Sequence, residues 1–171
     1  MVLEYIVIAL YTISLVLILM YALAQLNLLF NYLKARKKQD DSPKFDLTNI
    51  EEVPFVTIQL PVYNELYVME RLLDNIAKIN YPSDKLEIQV LDDSTDESVE
   101  TTAKHIKKLQ ETGLDIQHIR RENREGFKAG ALKEGLKIAK GEFIAIFDAD
   151  FLPKPCWLEK TVPFFKNPEI G

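Results

Sequence analysis

The chain has 171 residues, enough for one domain with accessory segments, and 47% of them are hydrophobic. Its formal net charge is −5, and residues 39–171 hold 25 acids against 17 bases, which argues against nucleic acid as a partner. The lone cysteine, Cys156, permits no internal disulfide, in keeping with a reducing compartment.

The first predicted element is a transmembrane helix over residues 1–33. No charged residue occurs from Tyr5 to Leu33, and a helix of this length is roughly 44 Å long, more than the hydrocarbon core of a bilayer. A cleaved signal peptide and a buried core helix are the alternatives. The apolar run continues past the cleavage-like Ala22-Leu23-Ala24 and no basic cluster precedes it, which favours a retained anchor.

Residues 34–53 are interpreted as a basic and polar cytoplasmic linker. Four basic residues follow the apolar run at once: Lys34, Arg36, Lys37 and Lys38. By the positive-inside rule, this cluster places everything downstream in the cytoplasm. The sequence therefore predicts a single-pass protein of the cell (inner or plasma) membrane, with the lipid bilayer as a partner and the soluble part cytoplasmic.

Strands and helices alternate in the prediction for residues 54–171. In chain order these are a strand over Val56–Leu60, a helix with apolar positions from Leu66 to Ile79, a strand over Leu86–Leu91, a helix with Val99, Ala103, Ile106 and Leu109 on one face, a strand over Asp115–Ile119, a helix striped by Ala129, Leu132, Leu136 and Ala139, and a strand over Phe143–Phe147. Asn64 is predicted to cap the first of these helices, and Ser94 with Glu97 has capping-box spacing before the second. The alternation predicts an α/β fold with a Rossmann-like parallel sheet.

The last predicted strand ends in two acids, Asp148 and Asp150. Its five consecutive apolar residues favour a strand buried on both faces. If the backbone stays extended through Ala149, both carboxylates point the same way, and two such anions suit Mg²⁺ or Mn²⁺. A turn with solvated acids is the alternative for an isolated Asp-x-Asp pair.

Polar segments follow all four predicted strands, at residues 61–65, 92–93, 120–128 and 148–150. Because the carboxyl ends of parallel strands share one edge, these segments are expected to meet in one cleft. Candidate bases for that cleft are Arg120, Arg121, Arg124 and Lys128. Together with a metal on the acids they would clamp a diphosphate, while a carboxylate at Asp93 can accept hydrogen bonds from a nucleobase or ribose. For His105 and His118 ordinary structural roles are favoured.

Four ordered motifs carry a resemblance to a known family. They are Pro61-Val62-Tyr63-Asn64-Glu65, the segment from Gln89 to Asp96, the segment from Gly126 to Gly135, and Phe147-Asp148-Ala149-Asp150-Phe151-Leu152-Pro153. In order and spacing they resemble the membrane-bound family 2 glycosyltransferases, above all the cellulose synthases and the cellulose-synthase-like mannan and glucan synthases. The resemblance covers residues 54–171.

This resemblance implies the amino-terminal part of a GT-A domain and an inverting, metal-dependent transfer from a UDP- or GDP-linked hexose to a growing polysaccharide or other glycan acceptor. By likeness, Tyr63 and Glu65 would line the nucleoside pocket and Asp93 would contact the base. Lys128 would meet the diphosphate, and Asp148 and Asp150 would hold Mg²⁺ or Mn²⁺ and the diphosphate.

One departure from the family pattern sets a further expectation. The family's later Thr/Ser-Glu-Asp carboxylate does not occur in these residues, nor does the Gln-x-x-Arg-Trp acceptor motif. That carboxylate is the expected general base, and the resemblance implies that it would lie beyond Gly171. We therefore expect an amino-terminal fragment that binds donor and metal without completing transfer. No catalytic residue is assigned within it.

Three other functions compete with this one. A haloacid-dehalogenase-type phosphatase would place its Asp pair on an early strand, and a dinucleotide dehydrogenase would need Gly-x-Gly-x-x-Gly after the first strand, where no glycine stands. A membrane-tethered nucleotide-binding or interaction module without catalysis remains the alternative.

Overall fold

The computed structural model describes residues 2–36, 50–167 and 169–170. The chain divides into two units, one formed by an N-terminal helix and one by a sheet with its helices, and each is described by itself. Most of the predicted linker, residues 34–53, lies outside the described residues. Its predicted role therefore stays a prediction.

Helix α1 spans Val2–Arg36, three residues beyond the predicted end. None of its residues is buried, which does not fit the alternative of a core helix. The hydroxyls of Thr12 and Ser14 donate to carbonyls one turn earlier, at 2.8 and 2.9 Å, so these polar groups are satisfied within the helix. Among the described helices, α1 alone is long and apolar enough to cross a membrane.

Four parallel strands form the sheet of the second unit, in the order β3-β2-β1-β4. The strands are β1 (Val56–Val62), β2 (Leu86–Asp92), β3 (Ile116–Ile119) and β4 (Phe143–Ile146). The central pair is long and in register from Val56 opposite Leu86 to Val62 opposite Asp92. The predicted parallel sheet is confirmed.

Helices connect the strands in the predicted sequence. They are α2 (Met69–Ile76), α3 (Ser98–Glu111) and α4 (Phe127–Ile138), and a short α5 (Trp157–Thr161) that the sequence pattern did not predict follows the last strand. Of the predicted helix faces, that of α2 is correct, since Met69, Leu72, Leu73 and Ile76 are all buried.

The two faces of the sheet differ in chemistry. Alternate residues of β1 and β2, such as Ile58, Leu60 and Ile88, form an apolar core with α2 and with Ile106 of α3. The opposite face lies under α4 and is polar, yet equally buried. Its side chains are Thr57, Gln59, Glu87 and Gln89, each at most 1% exposed.

Glu87 is the centre of this buried polar face. Its carboxylate accepts hydrogen bonds from the Thr57 hydroxyl (2.8 Å), the Gln117 amide (3.1 Å) and the backbone N–H of Lys140 (3.0 Å). A fourth donor is the Gln89 amide at 3.4 Å, and Gln59 donates in turn to Gln89 at 2.9 Å. These bonds offset the cost of removing a carboxylate from water.

The predicted stripe on α3 is correct in part, and that on α4 is wrong. On α3 Ile106 is buried and Leu109 packs against the core as predicted, but Ser98 and Thr102 complete the buried line in place of Val99 and Ala103. On α4 it is Ala131 and Gly135, while Leu136 is 58% exposed.

The prediction for α4 failed because this helix lies very close to the sheet. Small residues therefore occupy its buried side in place of large apolar ones. A Cβ atom at Gly135 would lie 2.7 Å from the Gln59 amide nitrogen and 2.9 Å from the Gln89 amide oxygen. Helix α4 therefore packs tightly on the polar face, with its larger apolar side chains turned outward.

The expectation of a strand buried on both faces is wrong for β4. This strand lies at the edge of the sheet, ends at Ile146 and leaves that residue 48% exposed. The most buried strands are the two central ones: every residue of β2 is buried, and so is every residue of β1 except Pro61. A run of apolar residues did not distinguish an edge strand from a central one.

Candidate functional site

A cavity of about 410 Å³ lies at the carboxyl ends of the strands, as predicted. The six residues assigned to the site by family likeness all line it: Tyr63, Glu65, Asp93, Lys128, Asp148 and Asp150. Pro61, Leu91, Arg124 and Ala131 contribute further walls. Parallel strands thus bring together side chains as far apart in the chain as Pro61 and Asp150.

The segments after β1 and β2 are joined by Asn64 and Ser94. Asn64 has a left-handed backbone (φ 56°); its N–H donates to the Ser94 hydroxyl at 2.8 Å, and its side-chain oxygen accepts from the Thr95 N–H at 2.9 Å. The predicted capping roles of both residues are therefore wrong, and neither α2 nor α3 has a side-chain cap. Their bonds instead hold Tyr63 beside the end of β2.

Asp93 forms an ion pair with Arg121 at the wall of the cavity. The guanidinium donates to both carboxylate oxygens, at 2.7 and 2.6 Å, and the two side chains are only 7% and 15% exposed. The hydrogen bond to Asp93 raises the pKa of Arg121. The sequence indicated Arg121 as one of four candidate bases and did not indicate this partner.

Arg124 covers the ring of Tyr63. Its guanidinium carbon lies 3.3 Å from the ring centroid, a cation–π contact, and its Nε lies 3.8 Å from an oxygen of Asp93. Since Arg124 and Tyr63 both line the cavity, they give it a flat cationic and aromatic surface beside the carboxylate of Asp93. Such a surface suits a planar ring with hydrogen-bond donors.

A second ion pair in the cavity lining joins Lys128, in the first turn of α4, to Asp148. Both side chains are more than half exposed, so solvent screens the pair. Asp148 therefore has a cation beside it in the structure, and both groups remain open to an incoming ligand.

The predicted extended backbone through Ala149 is wrong. Strand β4 has already ended, and the N–H of Phe151 donates to the carbonyl of Asp148 at 3.0 Å, which closes a turn. Asp148 and Asp150 nevertheless both line the cavity.

Two carboxylates of the cavity are candidate metal ligands. Over the described ranges, no group of three His, Cys, Asp or Glu side chains is placed to hold a metal. Asp148 and Asp150 would thus need oxygens from a bound ligand to complete a coordination shell. That donor set fits Mg²⁺ or Mn²⁺, which bind through one or two carboxylates together with phosphate oxygens.

The remaining candidates take other positions. Arg120 donates to the backbone carbonyl of Ser94 at 2.7 Å and does not line the cavity. His118 binds the Asp92 carboxylate at 2.7 Å, and His105 binds Asp74 at 2.8 Å, both in structural roles as predicted. Burial would raise the pKa of Asp92, but hydrogen bonds from His118 and Ser94 outweigh it and hold that pKa below its ordinary value.

The family resemblance also implies a general base, a carboxylate later in the domain. By that resemblance the carboxylate would lie beyond Gly171, which is itself outside the described residues. The absence of a catalytic base from this chain therefore stays a prediction.

Comparison with known proteins adds a family match. The model of the family described as "Glycosyl transferase family 2" matches residues 57–171. Among curated relatives, "Probable glucomannan 4-beta-mannosyltransferase 15" of Arabidopsis thaliana is 41% identical over 126 residues, which are 71% of this chain and 24% of the relative. The chain thus spans about a quarter of the length of the curated relatives it matches.

Solved structures give the same picture. The Pyrobaculum calidifontis mannosyltransferase PcManGT, in complex with GDP-Man and Mn²⁺, is 35% identical with a TM-score of 0.63, over 84% of this chain and 41% of that one. S. aureus TarS in complex with UDP-GlcNAc is 26% identical with a TM-score of 0.52, over 66% of this chain and 31% of that one. These likenesses confirm the expected glycosyltransferase fold.

Proposed function

The chain belongs to glycosyl transferase family 2, and from that premise we propose that it binds a nucleotide-diphosphate hexose for transfer to a growing glycan at a membrane. The carrying observation is that all six residues assigned to the site by family likeness line one cavity. It combines a flat aromatic and cationic surface, which suits a nucleoside, with a lysine and two carboxylates, which suit a metal-bound diphosphate.

GDP-mannose is the favoured donor. Support comes from the relatives named as glucomannan mannosyltransferases and from the neighbour solved with GDP-Man, while the neighbour solved with UDP-GlcNAc keeps a UDP-linked hexose as the second candidate. Tyr63 and Glu65 line the nucleoside end, Asp93 accepts hydrogen bonds from the base, and Lys128 and Asp148 meet the diphosphate.

Asp148 and Asp150 would hold the divalent cation against the diphosphate. Bound there, Mg²⁺ or Mn²⁺ would neutralise charge on the phosphate oxygens. We keep Mn²⁺ or Mg²⁺ as the expected cofactor because two carboxylates alone leave coordination positions for the donor.

In the proposed transfer, the role of this chain is to stabilise the leaving group. As an acceptor hydroxyl displaces the diphosphate with inversion, the bond from the sugar to the diphosphate breaks and negative charge builds on the diphosphate. The ammonium of Lys128 then exchanges its partner Asp148 for phosphate oxygens and stabilises that charge. No residue of this chain is assigned as the base that takes the hydroxyl proton.

Calorimetry on the solubilised 171-residue chain tests this proposal. Wild type should bind GDP or UDP in the presence of Mn²⁺, and Asp150→Ala should weaken this metal-dependent binding by about tenfold or more because a ligand to the cation is lost. Asp84→Ala, an exposed acid in a turn before β2, is the matched control and should bind as wild type.

The contrary result is equally clear. Nucleotide binding that is absent in wild type, or indifferent to both Mn²⁺ and Asp150→Ala, would contradict the proposal. It would favour the membrane-tethered interaction module instead.

A further inference from the structure

The side chain of Arg121 makes four hydrogen bonds in the turn between β3 and α4. Two go to the carboxylate oxygens of Asp93, at 2.7 and 2.6 Å. The other two go to backbone carbonyls, that of Glu125 at 2.6 Å and that of Phe127 at 2.7 Å. One guanidinium therefore joins the end of β2 to the backbone that leads into α4.

This backbone is strained. Gly126 has φ 69° and Phe127 has φ 49°, and a left-handed conformation is costly for a bulky aromatic residue. Among described residues other than glycine, only Asn64 and Phe127 have positive φ, and both adjoin residues that line the cavity. Strain of this kind persists only where neighbouring groups hold it, and Arg121 binds the carbonyls on both sides of Gly126.

An independent observation concerns Gly130, one turn further along α4. A Cβ atom there would lie 1.9 Å from the Glu125 carbonyl oxygen and 2.5 Å from Nη1 of Arg121. The turn can lie against α4 in this way only because residue 130 has no side chain. The glycine at position 130 and the strained backbone at Phe127 thus both point to the same conformation of the turn.

We propose that Arg121 is a positioning residue that sets the distance between the two ends of the donor cavity. It holds Asp93 at the nucleoside end and, through the Phe127 carbonyl, the backbone that carries Lys128 at the diphosphate end. The inference rests on the proposed function, because it assigns the two ends to one nucleoside diphosphate. A lysine cannot replace Arg121, since a single ammonium group cannot reproduce the bidentate pair and both carbonyl contacts.

The test compares Arg121→Lys with Arg120→Lys in titrations of GDP and UDP with Mn²⁺. Arg121→Lys should weaken nucleotide binding by about tenfold or more, the loss expected for a charge-assisted contact. Arg120→Lys should stay within about twofold of wild type, because lysine can keep the single bond to the Ser94 carbonyl. Gly130→Ala should behave like Arg121→Lys, since its methyl group would displace both the Glu125 carbonyl and the guanidinium that binds it.

Coupling to Lys128 is tested with a double variant. If Arg121 acts partly by placing Lys128, Arg121→Lys should cost less affinity in a Lys128→Ala background than in wild type. Equal losses in both backgrounds, or wild-type affinity of Arg121→Lys, would overturn the proposal.

A measurement without ligand separates this inference from the proposed function. In Arg121→Lys the amides of Phe127 and Gly130 should exchange with solvent faster than in wild type, while the thermal midpoint of the sheet unit is kept. Unchanged exchange at these amides would refute the role of Arg121. If wild type binds neither nucleotide, the proposed function fails while the exchange result still decides whether Arg121 holds the turn.

Discussion

Asp92 is the last residue of β2 and Asp93 follows it directly, yet the two side chains have different partners. Asp92 is 2% exposed and binds His118 and the N–H of Ser94, whereas Asp93 lines the cavity and binds Arg121. Adjacent acids thus have separate surroundings: one binds groups at the end of the strand, and the other lies at the cavity, where we propose that it meets the donor. At the scale of single residues, function depends on which groups a side chain reaches.

A prediction about pH follows for Asp92. Because its pKa is lowered in the folded state, its contribution to stability is fully present above the ordinary carboxyl pKa and is lost as pH falls through the lowered value. Asp92→Asn should reduce the free energy of unfolding by about 2 kcal/mol at pH 7. Urea unfolding at pH 7, 5 and 3 should show this difference shrinking at the lowest pH. A difference that is constant from pH 7 to 3 would contradict the argument.

At the scale of elements, the buried polar face under α4 fixes the position of that helix. Hydrogen bonds are directional, so the contacts of Glu87 with Lys140 and of Thr57 with the N–H of Gly141 define where α4 ends and β4 begins. Gly135 allows the helix to approach this face closely. Because α4 carries Lys128 and β4 leads to Asp148, the polar face fixes the positions of the two elements that bear this ion pair of the cavity.

The polar face gives a stability prediction with an internal contrast. Glu87→Leu should lower the free energy of unfolding by about 3 kcal/mol or more, since it leaves several buried donors without an acceptor. The double variant Gln59→Leu with Gln89→Leu removes both partners of one bond and only the long 3.4 Å contact of Gln89 with Glu87, so it should change stability by less than about 1 kcal/mol. Chemical unfolding of the variants measures both values, and similar losses in the two would argue against a central role for Glu87.

At the scale of the whole molecule, an apolar helix of 35 residues and a compact α/β unit occur in one chain. With no buried residue of its own, α1 exposes large apolar side chains along its whole length. Exposed apolar surface of that extent is characteristic of contact with lipid. We therefore keep the proposal that α1 anchors the chain in a cell membrane with the α/β unit on the cytoplasmic side.

Membrane retention tests this proposal. Wild type should stay in the membrane fraction after an alkaline wash, whereas Leu15→Arg with Leu19→Arg should be released in large part, because each central arginine costs about 3 kcal/mol of insertion free energy. The matched apolar control is Leu15→Val with Leu19→Val. For sidedness, a membrane-impermeant thiol reagent should label the single cysteine, Cys156, only after the cells are opened. Release of the wild type, or labelling of intact cells, would contradict the anchor or its orientation.

The sequence by itself determined the parallel α/β sheet, the apolar N-terminal helix and the set of residues that meet in the cavity. The spacing of apolar residues indicates whether a segment is a helix or a strand, and the carboxyl ends of parallel strands lie at a shared edge of the sheet. For this reason Tyr63, Glu65, Asp93, Lys128 and the Asp148/Asp150 pair converge as predicted.

Only the tertiary structure decided which partners these residues take. Three features depend on groups that are far apart in the chain. They are the edge position of β4, the face of α4 that is buried, and the ion pair of Asp93 with Arg121. Local patterns carry no information about such partners, because side-chain contacts across a sheet depend on strand order and register. The turn at Asp148 and the strained backbone at Phe127 likewise reflect tertiary contacts that outweigh local preference.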